Sequence, residues 1–265
     1  MTTTQAPAVP APYGVTFPRV LRSEWHKLLT VRSTWITALS AVFLVLGVGV
    51  LMGATYTSGG GDSDVDTVVL TLYGSQLSGI CLAVLGILVT AGEHSTGLAR
   101  ATFAAVPGRL PVLGAKAVVL GATVFVLCLL TNAATFLTAQ VFLDDTDQAA
   151  SLAGDGVLGA LSGNAAGLAL LALIALGLGA ALRSVPGALG AFIGGVVVLP
   201  EVLGMLPYDA VDTALRYFPT QAAGVLGSAA PLPGAPSSGA ALLALALWAA
   251  AALAVPASAL RRRDV

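Results

Sequence analysis

Charge is scarce in this chain. Only 9% of its 265 residues are Asp, Glu, Lys or Arg, where a soluble domain carries about a quarter. With 57% hydrophobic residues and a mean hydropathy of +0.91, the composition belongs in lipid. A net charge of −1 leaves no basic footprint for nucleic acid. Cysteine is equally sparse: Cys81 and Cys128 stand in apolar runs with neither metal-ligand spacing nor a partner pattern, and read as small core hydrophobes. His26 and His94 are the only histidines, and both fall outside the apolar runs. Intramembrane proteases and phosphotransferases, which need catalytic groups at depth, are thereby excluded. No GxxxxGK[ST] phosphate-cradling loop is present, and "QLSGI" at Gln76–Ile80 lies inside an apolar run. The opening "MTTTQAPAVPAPYG" lacks the apolar stretch of a signal peptide, so residues 1–16 read as a short disordered tail.

What is present is length without charge. A bilayer core takes about 20 helical residues to cross. Apolar runs near that length, charged only at Lys116 and Glu201, cover Trp35–Tyr56, Val68–Ala91, Leu110–Leu143, Val157–Leu182, Gly187–Leu206 and Gly239–Leu260. The expected fold is therefore an all-α integral membrane protein of six spans forming one domain over 17–265, with no internal repeat. The third run exceeds the need, which puts its first turns, with Lys116, in the interface. With the N-terminus inside, every basic residue except Arg216 falls on the inner side, and Asp62, Asp64, Asp66, Asp144, Asp145, Asp147 and Asp155 fall outside. That bias orients the chain with both termini cytoplasmic.

Two segments beside the spans carry the remaining information. "FPRVLRSEWHKLLTVRSTW" has Pro18 at a helix start and Arg19, Arg22, Ser23, His26 and Thr30 on one side. Phe17, Leu21, Trp25 and Leu28 line another side, and Glu24 to Lys27 is a favourable i, i+3 pair. This is the pattern of a helix lying in the membrane surface, with Arg19, Arg22, Trp25 and Lys27 as its anchors. "TAGEHSTGLARATFAAVPGRL" at Thr90–Leu110 is longer than a turn requires. Ser95 or Thr96 is placed to cap a short helix over Leu98–Val106, Glu93 suits the positive end of its dipole, and Pro107-Gly108 ends it. Such a helix either lies in the lipid interface or docks into another protein.

Polar residues within the spans have two readings, pathway lining or helix–helix hydrogen bonds of about 0.6 kcal/mol each. Gln76, Asn132 and Thr135 are the candidates, together with Glu201, an acid near the end of the fifth span beside Pro200. Glu201 either reaches the surface or pairs with Arg216, or it gives an outer vestibule a preference for cations. Gly190 and Gly194, with Gly187 and Gly195, make a small-residue face for packing within the chain or against a second one. An ion-coupled transporter would place ionisable groups at the midplane, and none is found there.

Three stretches resemble the permease subunit of bacterial ATP-binding-cassette exporters of the second export type: "RSEWHKLLTVRSTW", "GEHSTGLARATFAAVPGR" and the terminal "LRRRDV". The middle one is similar to that family's coupling helix, at the spacing of Glu93, His94, Gly97, Arg100 and Thr102; His94 stands where an aromatic is usual. "RYFPTQAAG" is similar to the external hairpin before the last span. The resemblance implies a non-enzymatic subunit in the bacterial plasma membrane that binds no cofactor itself. ATP and Mg would be handled by a separate ATPase subunit contacting the 92–109 loop. It further implies a second permease protomer, identical or not. The rival is a six-span membrane scaffold without an ATPase.

Overall fold

The structure, a computed structural model, describes residues 16–58, 65–98, 102 and 109–261. Helices account for the ordered architecture, and no strand occurs among the described residues. In chain order they are α1 (Phe17–Thr30), α2 (Arg32–Thr55), α3 (Thr67–Thr71), α4 (Ser75–Ser95), α5 (Arg109–Leu143), α6 (Val157–Leu182), α7 (Val185–Leu203), α8 (Asp209–Leu215), α9 (Pro219–Leu226) and α10 (Ser238–Arg261). Six of these, α2, α4, α5, α6, α7 and α10, are long and apolar enough to cross a membrane, as expected from the runs. This is the architecture of a multi-pass membrane protein. The expected tail lies outside the described residues except for Thr16, and so do Asp62, Asp64 and all of 99–108 except Thr102.

Between helices in lipid there is no hydrophobic drive, so close backbone approach and interhelical hydrogen bonds must hold the bundle. α6 occupies its centre, packed against α4, α5, α9 and α10. A Cβ on Gly86 of α4 would collide with the Ala172 carbonyl, and one on Gly177 of α6 would strike the Ala252 backbone. The face picked out by sequence is not used in this way: nothing lies within 4 Å of a Cβ built on Gly190, Gly194 or Gly195. Asn132 on α5 donates to the Leu161 carbonyl at 3.0 Å and to Asn164 Oδ1 at 3.1 Å. Asn164 in turn donates to Ser75 Oγ at 3.2 Å, which joins α4, α5 and α6 by side-chain amides.

The second span departs from expectation. Instead of one helix over Val68–Ala91, α3 stops at Thr71 and α4 begins at Ser75. The backbone leaves helical geometry at Leu72, φ −98° and ψ 19°, and Gly74 then brings the chain against α2, where a Cβ would collide with Leu44 O and Val45. α3 is held separately by Asp66, whose Oδ1 accepts from Val68 N at 2.9 Å and Val69 N at 3.2 Å. Between α7 and α10 the chain forms a pair of short helices, α8 and α9, and α9 packs on α6 and α10.

Candidate functional site: a buried four-charge joint

α1 begins with Pro18 in its first turn and turns Val20, Glu24 and Leu28 inward against α5. Phe17 and Trp25 remain more than 40% exposed. Glu24 therefore lies on the buried face, 4% exposed, and a carboxylate there requires compensation. Lys27 supplies part of it from the next turn, with Nζ 2.7 Å from Glu24 Oε1. Lys116 of α5, 92 residues away in sequence, supplies the rest with Nζ 2.7 Å from Glu24 Oε2.

The fourth charge comes from α4. A π-helical stretch, Leu88–Gly92, interrupts that helix just before its last turn. One inserted residue rotates the succeeding turn by about 100° at 3.6 residues per turn. Glu93 emerges from this stretch facing the two lysines, with Oε1 2.7 Å from Lys116 Nζ and 3.2 Å from Lys27 Nζ. Lys27 also donates to Thr102 Oγ1 at 3.1 Å. Two carboxylates and two ammonium groups thus tie α1, α4 and α5 together with no net charge. Burial pulls the Lys27 ammonium toward lower pKa, but the hydrogen bond and charge of Glu24, joined by those of Glu93, outweigh it and hold Lys27 above the usual lysine value.

The Ser95 and Thr96 hydroxyls turn back to the Gly92 carbonyl at 2.8 and 3.1 Å, closing the end of α4. One expectation for this segment needs correction: Glu93 is not at a positive helix start. It sits in the last turn of α4, where the dipole is unfavourable to an acid, and the two lysines compensate. Gly97 ends the helix in a left-handed conformation, φ 79°, open to glycine at little cost. His94 Nδ1 lies 3.0 Å from the Thr90 carbonyl. Arg100 and the helix expected over Leu98–Val106 lie outside the described residues except for Leu98 and Thr102.

Of the interface-helix residues, Lys27 belongs to the joint while Arg22 and Trp25 are exposed. Lys116, expected at the interface, is 6% exposed. The intramembrane candidates separate into two groups. Asn132 and Thr135 are fully buried in helix contacts, Thr135 Oγ1 donating to the Thr131 carbonyl at 2.8 Å. Gln76 and Glu201 instead line a cavity of about 790 Å³ at the other end of the bundle, which Ser75, Asn164, Asp212, Arg216 and Gln221 share. There Glu201 Oε1 accepts from Gln221 Nε2 at 3.3 Å, and no ion pair joins it to Arg216 among the described residues.

The signal that could have exposed the joint was available. Lys116 is the one lysine in a run that is otherwise apolar, and a charge so placed needs a counter-charge brought to it by the fold. Compared with the models of known protein families and with curated proteins, the chain matches none.

Proposed function

We propose that this chain is the transmembrane permease subunit of an ATP-driven exporter, residing in a bacterial plasma membrane with both termini in the cytoplasm. The observation that carries the reading is the four-charge joint. Glu93 opens the 92–109 segment, and its carboxylate is paired with Lys27 of α1 and Lys116 of α5. A push on that segment by an ATPase subunit would pass through short ion pairs into two further helices, rather than being absorbed by a loop. Buried ion pairs suit such work, because separating them costs several kcal/mol and keeps the three elements moving together. The lipid-facing Trp25 and Phe17 let α1 slide in the interface while remaining joined to the bundle. Gln76 and Glu201, on the cavity at the opposite end, are the residues proposed to meet cargo on its way out. Transport along this route takes a second permease protomer, and ATP with Mg binds on the ATPase alone.

Arg100→Glu tests the reading, since it reverses a charge in the segment proposed to enter the ATPase and touches no span. Membrane insertion of the variant should be normal, while ATPase co-purification or hydrolysis by the complex should fall. Unchanged values for both would favour the scaffold reading instead.

A further inference from the structure

Beside the joint lies a cavity of about 400 Å³. Leu28, Leu85, Leu88, Val89 and Val185 give it an apolar wall, Glu24, Lys27, Glu93 and Lys116 form another side, and the hydroxyls of Ser33, Thr34, Ser95 and Thr96 also line it. Val31, at the bend between α1 and α2, borders it and is 45% exposed. Trp25 and Trp35 flank that bend with 43% and 52% exposure, and indole rings favour the headgroup layer of a bilayer. The molecule present in quantity at that depth is a phospholipid.

The unused hydrogen-bonding capacity of the joint selects the headgroup. Lys27 spends its donors on Glu24, Glu93 and Thr102, and both Glu24 oxygens accept from lysines. Lys116 donates twice, to Glu24 and Glu93, which leaves one N–H of its three. Among the described residues Glu93 accepts through Oε1 alone, which leaves Oε2 for a ligand. One cationic donor and one anionic acceptor therefore stand side by side on the cavity wall. We infer that the cavity binds a zwitterionic bilayer phospholipid with a primary-amine head, phosphatidylethanolamine being the type. Its phosphate would accept from Lys116, its ammonium would donate to Glu93 Oε2, and one acyl chain would lie along Leu85, Leu88 and Val89. A choline head has no N–H to give Glu93, and a glycerol head brings a net negative charge to a wall with none to spare. The inference concerns a lipid site at the joint and does not depend on the transport reading.

The test uses the full chain in nanodiscs of equimolar phosphatidylethanolamine, phosphatidylcholine and phosphatidylglycerol, with tightly retained lipid identified by native mass spectrometry. Enrichment of phosphatidylethanolamine over phosphatidylcholine by about tenfold is expected, the worth of one charge-assisted hydrogen bond. Val31→Trp, at an exposed position whose extended backbone accepts any side chain, should fill the mouth and abolish that enrichment without changing the melting temperature. Leu88→Phe, narrowing the cavity from the other wall, should reduce it. Equal retention of the three lipids, preference for phosphatidylglycerol, or enrichment unchanged in Val31→Trp would each overturn the inference.

Discussion

At the end where α1 meets α4 and α5, four side-chain charges bind one another and three of the four are mostly withdrawn from water, Glu24 at 4%, Lys116 at 7% and Glu93 at 13% side-chain exposure. At the opposite end the fastening is of another kind. Asp66 caps α3 with one oxygen, and with the other it accepts from Ala229 N at 3.1 Å and Ala230 N at 2.8 Å, binding the region before α3 to the chain after α9. Around it Gln148 donates to the Val65 carbonyl at 3.0 Å, Gln140 accepts from Ala150 N at 2.8 Å, and Tyr56 donates to Asp147 at 2.8 Å. Charges that hold each other fail together, because removing one strands its partners in a poor solvent. Single carboxylates and amides that hold backbone groups or a hydroxyl strand no opposite charge when lost, so each fails separately. The first arrangement makes three helices respond as one body; the second lets each loop adjust separately.

Lys116→Met is the most damaging change this comparison predicts. It keeps the length of the side chain but leaves Glu24 and Glu93 with Lys27 alone, and the expected cost is about 3–5 kcal/mol. Equilibrium unfolding in mixed micelles would measure it, and a loss below about 1 kcal/mol would mean that water already reaches the joint. The double variant Glu93→Gln with Lys116→Met removes one charge of each sign. It should recover part of the loss, because neutral groups of similar shape strand nothing.

Asp66→Ala should cost less, about 2 kcal/mol, as expected for a lost cap with added cross-chain bonds. Its local character gives the sharper test. Hydrogen exchange should quicken at Val68, Val69, Ala229 and Ala230 and stay unchanged at Glu24 and Lys27. Lys116→Met should instead quicken exchange in α1 and the end of α4 together.

pH provides a smaller contrast between the two ends. The Tyr56 hydrogen bond holds the Asp147 carboxyl below the usual aspartate range. Its contribution is present above the ordinary value near 4 and is lost as pH falls through the lowered folded value. The Lys27 contribution runs the other way: it is complete below the ordinary lysine value, about 10.4, and is lost as pH rises through the higher folded one. Acid below the usual aspartate range should therefore weaken the Asp147 contact, and strong base should weaken the Lys27 contacts. Tyr56→Phe should weaken the acid effect and leave the part that the Ser58 hydrogen bond contributes.

The spans were legible in the sequence because lipid imposes both length and composition on them. The break over residues 72–74 was not, since no charge or proline marks it within Val68–Ala91 and the close approach at Gly74 comes from α2. The bonds of Ser95 and Thr96 back to the end of α4 were hidden for a related reason. The residues that cap a helix start also bond back at a helix end, and only the position of the helix distinguishes the two. Within the joint, the Glu24–Lys27 pair was readable from i, i+3 spacing. The Lys116 bonds were not, because nothing local places residue 116 beside residues 24 and 93. The small-residue face on α7 was visible, but sequence alone could not say that no described residue comes within 4 Å of a Cβ on Gly190, Gly194 or Gly195.

Photo-crosslinking tests the central claim most directly, because it asks in one experiment which end of the bundle meets an ATPase. A photoreactive amino acid is placed at exposed Ser95, beside the joint, or at exposed Asp209, at the other end, and native membranes are irradiated. The account predicts an adduct with an ATP-binding subunit from Ser95 and none from Asp209. An ATP-binding adduct from Asp209, or its absence from Ser95, would contradict it.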